Sequence, residues 1–323
     1  MPLRVSIDYG AARFVNQEKN LIKKQIHIAI GSTTSQPGAV AENLRQIAEF
    51  AAQAGRDGAD LLLTPELSAS GYGPYPEVLA TAERSGEGPI FQALAGMARE
   101  NGVVVCAGFV EACGDKRYLA HYAVYPDGRF IVQRKNRVML TERPLDPSGE
   151  VIPPDPARPS GDPADPGQPR VPQFSFFEVK GVRCAIAICA DSGITGLDDL
   201  LEHAGVEVLL VPVGAGGERK DRVTTEELRT EAGRAKYLHW LERVFFPGAS
   251  VVTCIERRRA MAAVNLCGYD GKKHHHIGHG MIITPMGEVP ALIHGLPNLD
   301  RQRPMYAHAV IDLSDRIFTN PNL

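Results

Sequence analysis

The sequence predicts a layered α/β or α+β fold, and three features point to it. Helix-like and strand-like segments interleave along the chain. Most of the strand-like segments are continuous apolar runs, as strands buried in a core read. The 323 residues, 44% hydrophobic and 23% charged, can bury a large core, with one large domain or two smaller ones both allowed.

The elements follow in order. "QIHIAIGS" (25–32) is a buried strand, and "AVAENLRQIAEFAAQAG" sets Leu44, Ile47, Ala48 and Ala51 on one helical face, with Gly55 as its stop. "ADLLLTPE" (59–66) is a strand ended by Pro65. A helix from Ile90 to Glu100 leads to the strand "VVVCAGFV". The turn Pro126-Asp127-Gly128 joins "YLAHYAVY" to "RFIVQRK" as a hairpin. Beyond it come "QFSFFEV", a Lys180-Gly181 turn, the strand of "GVRCAIAICADSG", a short helix "LDDLLEHAG" and the strand "VEVLLVPVG". Residues 225–244 read as a helix and the β-branched "ASVVTCIE" (249–256) as a strand. "HGMIITPMGEVPALIH" reads as a hairpin and "YAHAVIDL" as the last strand. "GADLLLTPE" and "AGVEVLLVPVG" echo each other, each a small-residue stop, an apolar strand and a proline, which hints at two related halves.

Residues 144–172 break the pattern, with ten prolines among Asp, Gly and Ser. Proline at that density forms neither helix nor central strand. Between two buried-looking strands the segment reads as an inserted loop or lid, with a domain linker as the alternative. Net charge is −3 with both signs interspersed, so no nucleic-acid or polybasic membrane partner is indicated. The six cysteines form no CxxC pair or tight framework, which suggests reduced thiols in a cytoplasmic setting. Met1–Gln25 is too charged for a signal-peptide core, and no apolar run reaches the length of a membrane span.

Three residues stand where apolar strands give way to loops: Glu66, Lys135 and Cys189. Each has a bland reading, as a solvated carboxylate, a surface lysine and a packed thiol. The alternative is that they converge at one sheet edge, where α/β proteins place their chemistry.

Their surroundings resemble the carbon–nitrogen hydrolase (nitrilase) superfamily, with its Glu-Lys-Cys triad. "GADLLLTPELSASGY" is similar to the family's strand into Pro-Glu-Leu and Gly-Tyr, "YPDGRFIVQRKNRV" to its Pro-Asp-Gly hairpin into Arg-Lys, and "GVRCAIAICADSG" to its nucleophile strand. "AGVEVLLVPVG" and "GHGMIITPMGEV" match two later core segments, so the resemblance runs from about Gln25 to Asp312. It implies a four-layer α-β-β-α sandwich of two mixed β-sheets. Residues 1–24 would be an extension and 25–323 one domain with the 144–172 insertion. It also implies a homodimer or higher homo-oligomer.

The implied chemistry is hydrolysis of a small amide or N-carbamoyl compound through a cysteine thioester, with no metal or organic cofactor. A thiol of ordinary pKa is mostly protonated at neutral pH and needs a base. Glu66 takes that role for Cys189, and Lys135 with the Ala190 backbone N–H stabilises the oxyanion. Glu142 resembles a second glutamate that orients lysine and substrate, with Glu150 as its competitor. Tyr72 borders the substrate. Asp191 is placed to accept loop N–H bonds and fix the nucleophile turn, with direct substrate contact as the alternative.

Several positions depart from the family pattern. "SGITG" follows Cys-x-Asp where Arg or an aromatic and Pro-Glu are usual; Ala190 replaces an aromatic, Gly280 a serine and Arg137 a histidine, and "FFPG" (245–248) stands where a helix often ends in Glu-Asn-Gly. These changes adjoin the expected pocket, so substrate identity does not carry over. The Trp-Glu of true nitrilases is missing, which favours an amide over a nitrile. The length argues against fusion to a synthetase. Nitrile hydrolysis by the same triad and a catalytically silent binding protein remain the rival readings. "KKHHHIGHG" (272–280) raises a metal alternative, but neighbouring histidines on a strand point to opposite faces. One or two of His274, His275, His276 and His279 are instead expected at the pocket mouth.

Overall fold

A computed structural model describes residues 24–139, 142, 161–162, 165–169, 173–218, 223–295 and 303–314. β1 (Gln25–Ser32) is followed by α1 (Val40–Asp57), β2 (Leu61–Leu63), the single turn α2 (Pro76–Leu79) and α3 (Pro89–Asn101). The meander β3 (Val104–Cys113), β4 (Lys116–Val124) and β5 (Phe130–Arg134) closes the first half. A small ribbon of β6 (Gly161–Asp162) and β7 (Asp165–Pro169) lies within the proline-rich segment, so proline there does not forbid a two-stranded pair. The second half runs β8 (Phe176–Val179), β9 (Val182–Ile186), α4 (Leu197–His203), β10 (Val208–Val213) and β11 (Gly216–Glu218). It continues with α5 (Glu231–Val244), α6 (Pro247–Arg257) and β12 (Ala260–Asn265). The last strands are β13 (Cys267–Tyr269), β14 (His274–Ile277), β15 (Gly280–Ile283), β16 (Ala291–Ile293) and β17 (Met305–Asp312).

Two six-stranded mixed sheets form, in the orders β17-β1-β2-β3-β4-β5 and β16-β15-β12-β10-β9-β8. In each, three adjacent strands are parallel: β1, β2 and β3 in one and β9, β10 and β12 in the other. Each parallel trio has two antiparallel strands on one side and one on the other. The pattern superposes one sheet's order on the other's, and β2 then corresponds to β10. These are the two strands whose sequences echo each other.

Alternation along the strands makes the layers. Ile26, Ile28 and Ile30 of β1 meet Val208, Leu210, Ala260, Ala262 and Val264 between the sheets, while Ala29 and Leu62 face Ile47, Ala51, Ala54 and Leu94 of α1 and α3. Leu209, Val211, Val213, Met261 and Ala263 face α4, α5 and α6. The result is the α-β-β-α sandwich.

Four local expectations are corrected. α1 runs through Gly55 and ends at Gly58, which takes φ +74°. Gly55 lies where α1 crosses the end of α3, and a Cβ there would be 2.8 Å from the Asn101 carbonyl oxygen. β2 is only Leu61–Leu63, because the chain turns at Thr64-Pro65. The helix read at 225–244 is a short 3₁₀ turn, Glu227–Arg229, and then α5, whose start is capped by the Thr230 hydroxyl accepting from the Gly233 N–H at 3.0 Å. Finally, residues 249–256 are helix α6, with Pro247 in its first turn, and the strand is the alanine-rich β12 just beyond. Residues 1–23 and Glu150 lie outside the described residues, as do most of 144–172.

Candidate active site

Glu66 follows β2 in a tight turn against β3. The Thr64 hydroxyl donates to the Cys106 carbonyl at 2.8 Å, and the Gly108 N–H donates to Ser68 Oγ at 3.1 Å. A Cβ on Gly108 would lie 2.1 Å from the Leu67 nitrogen, so only glycine lets the Glu66 loop lie on β3. The Glu66 carboxyl is thereby buried at the sheet edge.

Lys135 is the first residue beyond β5, and its N–H still donates to the Leu119 carbonyl at 2.8 Å. Its ammonium donates to Glu66 Oε1 at 2.6 Å and to Glu142 Oε2 and Oε1 at 2.7 and 2.8 Å. Glu142 also accepts from the Tyr72 hydroxyl at 2.7 Å and the Met139 N–H at 2.8 Å. All three ionic side chains are buried, Lys135 completely. Glu66 Oε2 is a buried oxygen with no hydrogen-bond partner among the described residues.

Cys189 ends the run from β9 and opens a 3₁₀ turn, Cys189–Gly193. Its φ is +50°, a left-handed conformation that L-residues enter at a cost and that concentrates at functional sites. The turn is held from below. Buried Asp191 accepts from the Arg137 N–H at 2.6 Å and the Asn136 N–H at 3.1 Å, tying it to the residues just after Lys135. Asp191 is thus placed against backbone N–H groups. Ala190 and Cys189 line a cavity with Tyr72 and Glu142.

Two carboxylates share one ammonium, and burial makes that imbalance felt. Burial pushes Glu66 up to about 7; Lys135 pulls it down, and Glu142 pushes it up again. Burial, then the Glu66 charge, pushes the Cys189 thiol up to about 12, while Lys135 and the Gly214 N–H act in the opposite direction. Burial likewise raises Asp191 to about 6. Lys135 is held well above the ordinary lysine range: burial alone lowers it, but the charges of Glu142 and Glu66 outweigh burial. The resting site therefore holds a protonated thiol next to a carboxyl poised near neutrality. Such a pair can pass a proton as sulfur attacks, without a standing thiolate.

The structure thus brings Glu66, Lys135, Glu142, Cys189, Ala190, Tyr72 and Asp191 together. Sequence reading missed Gly214, at the end of β10, where a Cβ would lie 2.4 Å from the Tyr72 ring and 2.7 Å from Glu66 Oε2. The only signal for it was the β2–β10 echo. The cavity wall supplied by Val244, Phe245 and Phe246 lies where "FFPG" (245–248) is expected to adjoin the pocket. Of the histidines, His274 lines the cavity and sits 3.3 Å from Asp270, and His276 sets its ring edge-on to Tyr72 at 5.5 Å. His275 stacks on Tyr269 instead. Burial lowers His276 and His279 to about 4, so both are neutral at pH 7. Among the described residues no group of three or more His, Cys, Asp or Glu side chains is placed to hold a metal ion, and no helix is long and apolar enough to cross a membrane.

The chain belongs to the carbon–nitrogen hydrolase family, whose sequence profile matches residues 27–295. It is 29% identical over 251 residues to a glutamine-dependent NAD(+) synthetase of Xanthomonas campestris pv. campestris, and 29% identical over 255 residues to that of Xylella fastidiosa. Each match covers 70% of this chain and 40% of the relative, so the chain spans well under half the length of the relatives it matches. In fold it is similar to an amidase from Nesterenkonia sp., with TM-score 0.63 and 19% identity over 90% of this chain and 93% of that one. A mutant of that amidase in complex with butyramide aligns with TM-score 0.63 and 18% identity, covering 90% and 94% of the two chains.

Proposed function

We propose that this chain hydrolyses a small amide through a thioester on Cys189. The observation behind the reading is the buried Glu66–Lys135–Glu142 network beside a cysteine held in a left-handed turn at a cavity wall. Glu66 takes the thiol proton as sulfur adds to the amide carbon. The oxygen gains negative charge beside the Lys135 ammonium and the Ala190 N–H. The C–N bond then breaks, Glu66 gives its proton to the leaving nitrogen, and ammonia or an amine departs. Water adds to the thioester with loss of a proton to Glu66, the C–S bond breaks, and the sulfur recovers that proton. Glu66 serves both half-reactions, which suits a pKa near 7. Glu142 and Tyr72 hold Lys135 in place, and Asp191 holds the turn.

The test is ammonia release from a panel of primary amides, N-carbamoyl amino acids, L-glutamine and nitriles, with trapping of the acyl-enzyme by intact-mass measurement. Release by wild type but not by Cys189→Ala, with the adduct mapped to Cys189, is expected. Equal release by both proteins would exclude this cysteine as nucleophile. Activity confined to nitriles would favour the nitrile reading, and none on any compound the silent binding protein. L-Glutamine belongs in the panel because the sequence relatives are named glutamine-dependent synthetases.

A further inference from the structure

The cavity that begins at Cys189 does not stop at the triad. It has a volume of about 700 Å³ and passes between the outer face of the second sheet and helices α5 and α6. Its floor is the alternate set of side chains on two parallel neighbours, Leu209, Val211 and Val213 on β10 with Met261 and Ala263 on β12. The intervening residues, Leu210, Ala262 and Val264, belong to the core between the sheets. Over this floor α6 is amphipathic but fully buries only Cys254, so it stands off the sheet and leaves the space below it open. Two charged side chains reach the cavity from this end, Asp198 and Arg243. Both are engaged with other protein groups, Asp198 accepting from Arg259 at 3.0 Å.

We infer that this lobe receives the acyl part of the substrate, and that the part is an extended apolar chain. The inference rests on the amide-hydrolase reading above, which fixes the direction. At the carbon under attack, the oxygen belongs beside Lys135 and the Ala190 N–H, and the leaving nitrogen must meet Glu66 to be protonated. The remaining substituent is the acyl carbon, and the lobe floored by β10 and β12 is left for it. An apolar chain there exchanges water for the side chains of Val211, Val213, Met261 and Phe245. A short polar acyl group bearing its own ammonium and carboxylate would lose hydration over the same apolar floor.

The experiment compares kcat/KM for acetamide, butyramide, hexanamide and octanamide, with L-glutamine as the polar reference. Each added methylene is worth about fourfold if it is fully buried, so hexanamide is expected to exceed acetamide by about two orders of magnitude. A flat or falling series, or L-glutamine exceeding hexanamide, overturns the inference and leaves amide hydrolysis standing. Ala263→Phe fills the lobe from the floor and Ala249→Phe from α6, where the exposed alanine tolerates a larger side chain without disturbing the core. Either is expected to lower the hexanamide-to-acetamide ratio at least tenfold; an unchanged ratio in the folded variants overturns the inference. Calorimetric binding to Cys189→Ala separates the two readings, because it needs no turnover. Tighter binding of hexanamide than acetamide without wild-type hydrolysis would sink the hydrolase reading and keep the lobe. Equal binding of both would sink the lobe.

Discussion

Glu66 illustrates how one buried charge sets the behaviour of a site. Its carboxyl is raised to about 7 first by burial, and Glu142 adds to the rise through its negative charge. In the proposed mechanism Glu66 is the base and must be ionised, so kcat/KM is expected to rise with pH through about 7 and to be lost below it. Glu142→Gln removes one of the charges that lift Glu66 while Lys135 keeps its own, so the acid limb of the pH profile should move to lower pH even as the rate falls. A limb that stays in place would disprove the coupling. At this scale the sequence is most informative where a residue type is rare in its setting. A carboxylate, an ammonium and a thiol at three strand ends were legible, together with the motifs around them. Spacing left Glu142 and Glu150 open, because the segment after Lys135 has no periodicity to fix its path. Gly214 was legible only through the β2–β10 echo, since its role is to have no side chain beside Tyr72 and Glu66.

At the scale of elements, the site is an agreement between loops at the ends of strands from both sheets. Asp191 joins the turn after β9 to the residues after β5 through three backbone contacts. Asp191→Ala leaves the Asn136 and Arg137 N–H groups without their acceptor and should destabilise the fold by about 2–4 kcal/mol. It should also lower kcat, because both Cys189 and Lys135 lose their fixed approach. Thermal unfolding and kcat measured on the same preparation check both; unchanged values would show that the turn is held by other means. The element reading failed where composition and position disagree. Val251, Val252, Thr253 and Ile255 favour a strand by type, but Pro247 starts a helix and the neighbouring slot in the sheet is filled by "AMAAVN". Alanine has little strand preference, and its small volume suits a floor beneath a cavity. Tertiary packing overrode local propensity in both segments.

At the scale of the whole molecule, the two sheets share one core. Leu210 is fully buried in it, and Leu210→Ala should cost about 2–5 kcal/mol. The single tryptophan, Trp240, packs on the far side of the second sheet. Its fluorescence and the far-ultraviolet circular dichroism should nonetheless report one coincident unfolding transition in urea, shifted together in the variant. Separate midpoints would show that the halves unfold independently. The layered class followed from the interleaving of elements, and the sandwich from the family resemblance. The matching order of the two sheets was visible only as the echo between β2 and β10, because strand order is set by contacts distant in sequence.

The unequal count of two carboxylates to one ammonium also sorts small reagents by charge. Iodoacetamide and iodoacetate attack thiols alike but differ by one negative charge. The exposed Cys113 serves as an internal reference. The preference for the neutral reagent should be at least tenfold greater at Cys189, the effect of one like charge at close range in a buried site. The ratio of the two adducts, read by peptide mass mapping, would report the electrostatic sign of the site without any substrate.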